Sequence, residues 1–353
     1  MEKKDRIFIE IIIALILGTV AVYLFFEAKE EPTIGRVNVD SGKRVVMGTL
    51  AHVIAVAADS NTAERCIEAA FAKIEEIEDL MSDHKSDSEI GELNRDGFNR
   101  AIVVSEPTYE VLQKGVEFSR ISDGAFDITI GPLVDFWHSA AEANSVPSEA
   151  ELAEVRSKVG YDKLIFGANE MSIRFAADGM RVDLGGIAKG YALDKAVEAM
   201  QKKGAAGGMV DIGGDIRCFG LPPGGQDKWR IGLQDTRVGK EDLTGGILMV
   251  LELGDTAVAT SGDYRRYVVI DGKKYSHIID AKTGYSGDGL ASVTIITETA
   301  VEADALATAV NVMGAERGLA LIEERPGTEA IVITSAPEYE LKKTSGALQY
   351  IEK

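Results

Sequence analysis

The chain has 353 residues, of which 45% are hydrophobic, and a formal net charge of −19 at neutral pH. This length and composition argue against a disordered chain and are typical of a globular protein of one large domain or two small ones. The acidic charge argues against nucleic-acid binding, which needs a basic surface, since no Lys/Arg cluster lies beyond the extreme N-terminus. Cys66 and Cys218 are too few for a disulfide framework and lack metal-binding spacing, so both are expected in the core.

The N-terminus carries an apolar run long enough to cross a membrane. Residues 7–26 are almost wholly apolar, basic residues precede them and glutamates follow. This charge asymmetry predicts that residues 1–6 are cytoplasmic, that 7–26 form a transmembrane anchor, and that the rest lies on the outer face of the cytoplasmic membrane. A cleaved signal peptide is the alternative. We favour an uncleaved anchor, because no small-x-small site follows the run and no cysteine there could carry a lipid.

The next hundred residues alternate between strand and helix patterns. In order, we predict a polar linker at 27–43, a strand at 46–57, an amphipathic helix at 62–81, a helical turn at 90–94 and a helix from Pro107 to about residue 124. A short strand is predicted at 126–133, where Gly-Pro would stop it. Ser148 and Glu151 form a capping box that predicts the start of a third helix.

A strand that runs through a glycine pair into a helix is predicted at 182–194. The helix is expected over 187–203. Backbone N–H groups of Gly185 and Gly186 at the positive end of that helix would suit a phosphate, and Asp183 would suit a metal or a ligand hydroxyl. The alternative is a tight turn in which the glycines only relieve backbone strain. The stretch by itself leaves both interpretations open.

The remaining chain is rich in strands and closes with two helices. Strands are predicted at 208–219, 229–233, 247–253, 257–261, 264–270, 274–279 and 292–297, helices at 301–313 and 315–324, and final strands at 330–334 and near 339–341. Asp271-Gly272 is a hairpin signal. Hairpins mixed with helices predict the α+β class with largely antiparallel sheets, and no flexible linker divides the region from residue 46 onwards.

One pair of polar residues and one histidine could support chemistry. Asp304 and Thr308 lie four residues apart on a predicted helix, hence on one face, and both are hard oxygen donors that suit Mg²⁺ or Ca²⁺. A solvated helix cap is the alternative. His277 stands between a strand and a Gly turn, so it is either a buried structural histidine or a general base.

Two further Gly-containing turns carry polar side chains. The segment 211–215 repeats the logic of 182–194, since Gly213 and Gly214 permit close backbone approach beside acidic residues. The segment 259–267 combines small polar donors with Arg265 and Arg266, although a simple β-turn is an alternative. Several such turns in one compact unit are more than turn chemistry usually requires.

Eight segments, in order, carry a resemblance to a known family. They are 47–49, 88–94, 124–133 with Trp137, 182–194, 211–217, 260–264, 277–284 and 303–308. Together they span roughly residues 44–350 and closely resemble the ApbE family, the FAD:protein FMN transferases. The resemblance implies one compact α+β domain at 44–353 with mixed, largely antiparallel sheets and packed helices. The transmembrane helix predicted from the apolar run would precede this domain.

The resemblance also implies an activity and a set of site residues. Family members are membrane-tethered enzymes outside the cytoplasm that take FAD as substrate, use Mg²⁺, transfer FMN to a Thr or Ser hydroxyl of a target protein and release AMP. The implied acceptor is a membrane electron-transfer flavoprotein. Residue by residue, the implied flavin contacts are Met47, His84, Ala125, Phe126, Asp127, Asp183, Lys189 and Ile279. The implied metal ligands are the Gly186 carbonyl, Asp304 and Thr308, and His277 matches the catalytic histidine.

Three departures from the family pattern bear on function. Members often have an aromatic residue where this chain has His84, and many have Pro where Ala281 stands. Many members are lipoproteins, whereas this chain has no cysteine near the apolar run that could carry a lipid. An open site at His84 would favour an FAD pyrophosphatase that yields FMN and AMP. A non-catalytic flavin-binding envelope protein is a further alternative, in which the segments around His277 and Asp304 would have no purpose.

Overall fold

The computed structural model describes residues 36–235, 246–262, 267–287, 290–335 and 337–353. The predicted membrane anchor at 7–26 lies outside these ranges, and so do residues 263–266 of the segment that carries the Arg pair. Within the described ranges, no helix combines the length and the hydropathy needed to cross a bilayer.

The helices lie close to their predicted positions, except for α4 (Gly131–Glu142), which was not predicted. They are α1 (Ser60–Met81), α2 (Glu89–Asp96), α3 (Glu106–Ile121), α4 (Gly131–Glu142), α5 (Glu149–Arg156), α6 (Ala188–Lys202), α7 (Ala300–Met313) and α8 (Ala315–Glu323). The predicted capping box is confirmed at α5, where the Ser148 N–H donates to Glu151 Oε2 at 2.9 Å and the Glu151 N–H donates to Ser148 Oγ at 3.4 Å. Reciprocal capping of this kind satisfies two amides that the helix itself leaves free.

The strands form one large sheet and three small ones. They are β1 (Val37–Val46), β2 (Thr49–Ala57), β3 (Ile102–Val103), β4 (Leu164–Phe166), β5 (Ser172–Phe175), β6 (Gly207–Ile212), β7 (Asp215–Gly220), β8 (Trp229–Gln234), β9 (Ile247–Leu253), β10 (Ala257–Ser261), β11 (Tyr267–Ile270), β12 (Lys273–Ser276), β13 (Leu290–Thr297), β14 (Glu329–Thr334) and β15 (Leu341–Lys343). The large sheet has the order β1-β2-β6-β7-β10-β13-β14-β15, and the named strands of the described ranges pair antiparallel. The predicted α+β class with antiparallel sheets is confirmed.

The predicted single strand at 46–57 is wrong, because a hairpin occupies this region. Val46 pairs with Thr49, and the two residues between them, Met47 and Gly48, both have positive φ (46° and 67°). Positive φ at both central positions is what a tight hairpin turn requires, and methionine rarely adopts it. The predicted linker at 27–43 is likewise too long, since β1 begins at Val37. As an edge strand β1 exposes many polar side chains, which disguise its strand pattern.

Two other hairpins place glycines at the turn. The predicted strand at 208–219 is in fact β6 and β7, joined by Gly213 and Gly214, which have φ values of 67° and 96°. The predicted hairpin at Asp271-Gly272 is confirmed between β11 and β12. In each case glycine supplies a backbone conformation that other residues adopt at a cost.

The predicted strand at 126–133 is also wrong, because this segment is a loop that leads into α4. The Asp127 carboxylate holds the loop: Oδ1 accepts from the Thr129 N–H at 2.8 Å, and Oδ2 accepts from the Tyr161 N–H at 3.0 Å. Pro132 then lies in the first turn of α4, where a missing N–H costs nothing. The Gly-Pro pair therefore starts a helix here instead of ending a strand.

Three apolar clusters hold these elements together. The largest lies between the large sheet and the helices α1, α6 and α7, and includes Phe71, Ile187 and Leu306. A second lies under the β8–β9 hairpin on strands of the same sheet and includes Trp229 and Cys218. The third joins α4 and α5 to the β11–β12 hairpin. The candidate site lies where the sheet, the α6–α7 pair and the α4 region meet.

Candidate active site

One cavity of about 1370 Å³ brings together every site residue predicted from the sequence. These residues come from the β1–β2 turn, the loop after α1, the loop before α4, the start of α6, the segment after β12, and α7. Drug-sized ligands occupy cavities of about 300–1,000 Å³, so this one has room for a larger molecule such as a dinucleotide. Placement in one cavity is a requirement for the predicted roles, and it is met.

The start of α6 is shaped by close contacts around its two glycines. The Gly185 N–H donates to Asp183 Oδ1 at 2.7 Å, so one of the predicted phosphate donors is already engaged. Neither Gly185 nor Gly186 has positive φ, and the interpretation that they only relieve backbone strain is therefore wrong. A side chain at Gly186 would begin 3.1 Å from both Thr308 Oγ1 and the Phe126 ring. Gly186 is glycine because α7 and the loop before α4 approach it closely.

A buried charge cluster lies beside this turn. The Lys189 ammonium contacts the Asp215 carboxylate and lies 3.2 Å from Asp304 Oδ1. The second Asp304 oxygen accepts from the Gly190 N–H at 3.0 Å, and Asp215 Oδ1 accepts from the Thr260 N–H at 3.0 Å. Burial raises the pKa of Asp304 to about 6, and the Lys189 charge opposes this shift. Burial lowers the pKa of Lys189, but the two carboxylates together outweigh this effect and raise it, so Lys189 stays charged.

Asp215 is the residue of this cluster that was absent from the predicted site. The sequence contains a signal for it in the turn 211–215, where Asp215 directly follows a glycine pair. The turn 183–186 likewise combines an aspartate with a glycine pair. Its side chain is only 6% exposed, and a buried carboxylate is retained where a charge partner faces it. The pairing with Lys189 joins two segments 26 residues apart, a contact that no local pattern reveals.

The proposed metal ligands fit a hard cation. Asp304 and Thr308 stand one helical turn apart on α7, and Gly186 lies against the Thr308 hydroxyl. Carboxylate, hydroxyl and carbonyl oxygens suit Mg²⁺, which commonly uses one or two carboxylates and completes its shell with water and substrate phosphates. Among the described residues, no group of three or more His, Cys, Asp and Glu side chains could hold a metal.

The cavity is acidic for a site expected to hold a pyrophosphate. Its carboxylates in the described ranges are Glu78, Asp83, Asp127, Asp135, Asp183, Asp211, Asp215 and Asp304. The Lys and Arg side chains that line it in the same ranges are Lys85, Arg181 and Lys189, and each forms an ion pair with a carboxylate. An anionic ligand would therefore need an additional cation to offset this negative field.

His277 is held at the cavity by the turn that follows it. It comes directly after β12 and is exposed, so the interpretation as a buried structural histidine is wrong. Asp280 stabilises the turn, since its carboxylate accepts from the Lys282 N–H at 2.8 Å and its backbone carbonyl accepts from the Gly284 N–H at 2.7 Å. Ala281 stands within this turn and does not disturb these bonds. Ile279 is buried beside His277 and bridges to Ser286.

His84 lies on the rim, in the loop that follows α1. Its side chain is 89% exposed. The neighbouring Asp83 accepts from Arg181 Nη2 at 2.7 Å, and Arg181 also pairs with Asp135 of α4. Arg181 thus ties the His84 loop to α4, a contact that the sequence did not predict.

The other predicted flavin contacts are backbone-anchored. The Met47 N–H donates to Glu78 Oε2 at 2.7 Å, and the Phe126 N–H donates to Ser122 Oγ at 3.0 Å. Ala125 and Phe126 are buried and supply an apolar wall. Burial raises the pKa of Asp127, against the hydrogen bonds from Thr129 and Tyr161 that lower it. Both Asp127 oxygens serve the loop itself, so its carboxylate also has a structural role.

Comparison with known proteins identifies the family of this chain. A family model described as the ApbE family matches residues 47–332. The chain belongs to the ApbE family. A relative from Vibrio cholerae, named FAD:protein FMN transferase, is 37% identical over 75% of this chain and 78% of its own length. A relative from Haemophilus influenzae with the same name is 32% identical over 94% of this chain and 96% of its own length.

Solved structures of ApbE proteins share the fold. The crystal structure of the ApbE protein of Thermotoga maritima has a TM-score of 0.79 and 31% identity, and it covers 90% of this chain and 100% of its own. A structure of the flavin transferase ApbE from Vibrio cholerae has a TM-score of 0.74 and 30% identity, with 89% and 99% coverage. The family predicted from the eight ordered segments is confirmed, and with it the prediction that this ApbE protein is an enzyme of the flavin-transferase class.

Proposed function

We propose that this ApbE protein transfers FMN from FAD to a Thr or Ser hydroxyl of an acceptor protein, with Mg²⁺ bound, and releases AMP. In this reaction the hydroxyl oxygen bonds to the phosphorus on the FMN side of the pyrophosphate. The P–O bond to AMP breaks, AMP leaves with the bridging oxygen, and the hydroxyl proton passes to a base. The observation that carries the proposal is the meeting of Gly186, Asp304, Thr308 and His277 in one dinucleotide-sized cavity.

The α6–α7 side of the cavity would hold the metal. Asp304, Thr308 and the Gly186 carbonyl supply its protein ligands. Mg²⁺ neutralises pyrophosphate charge and stabilises the leaving phosphate when it is bound. Because the cavity has an excess of carboxylates and its Lys and Arg side chains in the described ranges are paired, FAD binding itself should depend on added cation. Lys189 keeps the two carboxylates of the cluster close to each other and faces the nucleotide.

The other side of the cavity would hold the flavin ring system, and it carries the residue that would accept the proton of the acceptor hydroxyl. Ala125, Phe126 and Ile279 offer apolar surface for the ring system, with Met47, Asp127 and Asp183 at its edges. His277 is the proposed base, because an imidazole titrates near neutral pH and is exposed here to an incoming hydroxyl. One general base contributes about 10²- to 10⁴-fold to a rate.

The test measures AMP and covalent flavin together. The full chain is incubated with FAD, Mg²⁺ and membrane proteins from a strain that lacks it, and fluorescent bands are identified by mass spectrometry. His277→Asn should still quench flavin fluorescence on binding but lose about 10²- to 10⁴-fold in transfer. Asp304→Ala should lose turnover that excess Mg²⁺ partly restores. Undiminished transfer by His277→Asn would contradict the proposal that His277 is the general base. Full activity in EDTA would contradict the proposal that the reaction needs a bound metal ion.

FAD pyrophosphatase activity is a second candidate, favoured by the exposure of His84. A rim residue that is 89% exposed leaves water a route to the phosphates, whereas an aromatic side chain stacked on a flavin would block it. Hydrolysis predicts AMP release from FAD and Mg²⁺ without any acceptor. His84→Tyr should reduce that release and leave transfer to an acceptor intact. An equal rate of acceptor-free AMP release in both proteins would show that His84 does not control hydrolysis.

We also propose that residues 7–26 anchor the enzyme in the cytoplasmic membrane with the catalytic domain outside the cytoplasm. The apolar run and the basic residues before it support this topology. A membrane electron-transfer flavoprotein would then be within reach as acceptor. Protease added to intact spheroplasts should digest the catalytic domain, and protection from protease would reverse the orientation.

A further inference from the structure

The N-terminus of α7 receives its cap from another helix. Thr299 occupies the N-cap position, but its side chain makes no capping hydrogen bond. Asp194 of α6 takes this role: Oδ1 accepts from the Ala300 N–H at 2.9 Å and Oδ2 accepts from the Val301 N–H at 2.9 Å. A carboxylate at this position satisfies two of the free amides and lies at the positive end of the helix dipole.

A second contact, one helical turn away, fixes the same two helices. Gly190 and Asp194 are four residues apart on α6 and lie on one face. A side chain at Gly190 would begin 2.2 Å from the Ala300 carbonyl oxygen, so the backbones of α6 and α7 are as close as glycine allows. The Gly190 N–H also donates to Asp304 Oδ2 at 3.0 Å. The two contacts together set the position of α7 along α6.

Asp194 is itself held in place by the large sheet. Arg217 Nε, from β7, lies 3.5 Å from Asp194 Oδ1. Both side chains are mostly buried, with 17% of Asp194 and 13% of Arg217 exposed. Because Asp194 is fixed by α6 and by Arg217, its carboxylate has little freedom to move with α7. The two hydrogen bonds therefore fix the position of the α7 N-terminus relative to α6.

These contacts determine how the proposed metal ligands face each other. Gly186 lies just before α6, whereas Asp304 and Thr308 lie on α7. We propose that Asp194 is a positioning residue for the metal site: by capping α7 from α6, it holds Asp304 and Thr308 in place opposite Gly186. This inference rests on the metal site of the proposed function. Asp194 contacts neither the metal ligands' oxygens nor the cavity, and it acts through α7.

The experiment measures metal binding without turnover. Mg²⁺ alone is titrated into the full-length chain by isothermal titration calorimetry for the wild type, Asp194→Asn and Asp194→Ala. Loss of a partner that orients metal ligands typically costs about 10- to 100-fold in affinity, and we expect that loss for Asp194→Ala. Asp194→Asn keeps one oxygen that can accept one of the two N–H groups, so its affinity should fall between the other two.

Two controls separate positioning from general loosening and from failure of the metal site. Tyr191→Phe removes a 2.7 Å hydrogen bond from the same helix to Glu110 of α3 but keeps Gly190 and Asp194, and it should leave Mg²⁺ affinity unchanged. Asp304→Ala removes a proposed ligand and should weaken Mg²⁺ binding more than Asp194→Ala does. A wild type that binds no Mg²⁺, or an Asp304→Ala protein that binds it normally, overturns the metal site and this inference with it.

The remaining outcomes bear on Asp194 alone. If Asp304→Ala loses Mg²⁺ while folded Asp194→Ala binds it like the wild type, the positioning role is overturned and the metal site stands. Equal weakening in Tyr191→Phe also overturns it. If Asp194→Ala fails to fold, Asp194→Asn is judged by the same criterion, with circular dichroism showing that it is folded.

Discussion

The α6–α7 side of the cavity and its rim differ in how far their functional side chains are buried and paired. On the α6–α7 side, the side chains of Lys189, Asp215 and Asp304 are 26%, 6% and 7% exposed and bind one another. On the rim, the side chain of His84 is 89% exposed in a loop, and His277 is exposed directly after a strand. Groups that must stay in fixed positions are buried and paired, whereas groups that must meet large partners remain open. Charges on the buried side should therefore govern stability, and rim residues should govern reaction outcome.

Removal of the buried cation should have the largest effect. Lys189→Met leaves two buried carboxylates side by side with no positive charge between them. Breaking a buried ion pair by removal of one partner costs about 3–5 kcal/mol, and we expect a loss of that size in urea denaturation. His84→Ala is the matched rim variant, and its change should stay within about 0.5 kcal/mol. Similar losses in the two proteins would contradict the distinction between the two sides.

A smaller loss is expected from one added methyl group at the helix contact. Gly190→Ala would place its Cβ 2.2 Å from the Ala300 carbonyl oxygen, and backbone cannot move aside as a side chain can. Overpacking of this kind costs about 1–3 kcal/mol. Gly254→Ala is the control, because nothing lies within 4 Å of its added Cβ. Thermal unfolding should show a lower Tm for Gly190→Ala only; an unchanged Tm would mean that α6 and α7 separate easily.

The smallest effect concerns the two thiols, which lie in the core far from the rim. Burial raises the pKa of Cys218 to about 12 and also raises the pKa of Cys66. An unfolded cysteine ionises near pH 8.5, about the ordinary value, so the folded thiols stay neutral where unfolded ones begin to ionise. Stability should consequently fall as pH rises from about 8.5 towards 12.

Thiol labelling checks this expectation directly. At about pH 8.5, Ellman's reagent should label neither cysteine in the folded chain and both in denaturant, because the thiolate is the reactive form. Rapid labelling of the folded protein would show that its core opens readily to solvent. The His84→Ala variant should behave like the wild type, since His84 lies on the rim.

Sequence alone determined the family, the α+β class, nearly every helix and the residues of the candidate site other than Asp215. Helices such as α1 were readable because Ile67, Phe71 and Ile74 repeat at helical spacing, a signal carried by neighbours in the chain. The eight ordered segments determined the family because their order is itself a property of the sequence. The local predictions were wrong where the same residues are compatible with two structures. Gly-Pro can end a strand but here starts α4, and Met47-Gly48 lies within a strand-like pattern but forms the turn that divides β1 from β2.

Only the tertiary structure decided how these residues work together. Lys189 meets Asp215 and Asp304 across 26 and 115 residues of chain, and Asp194 caps a helix that begins 106 residues later. Gly186 appeared to be a turn or phosphate-binding glycine, but contact with Thr308 and Phe126 explains why no side chain fits there. Sequence patterns record the backbone preferences of neighbouring residues. Burial and charge pairing depend on which distant segments the fold brings into contact.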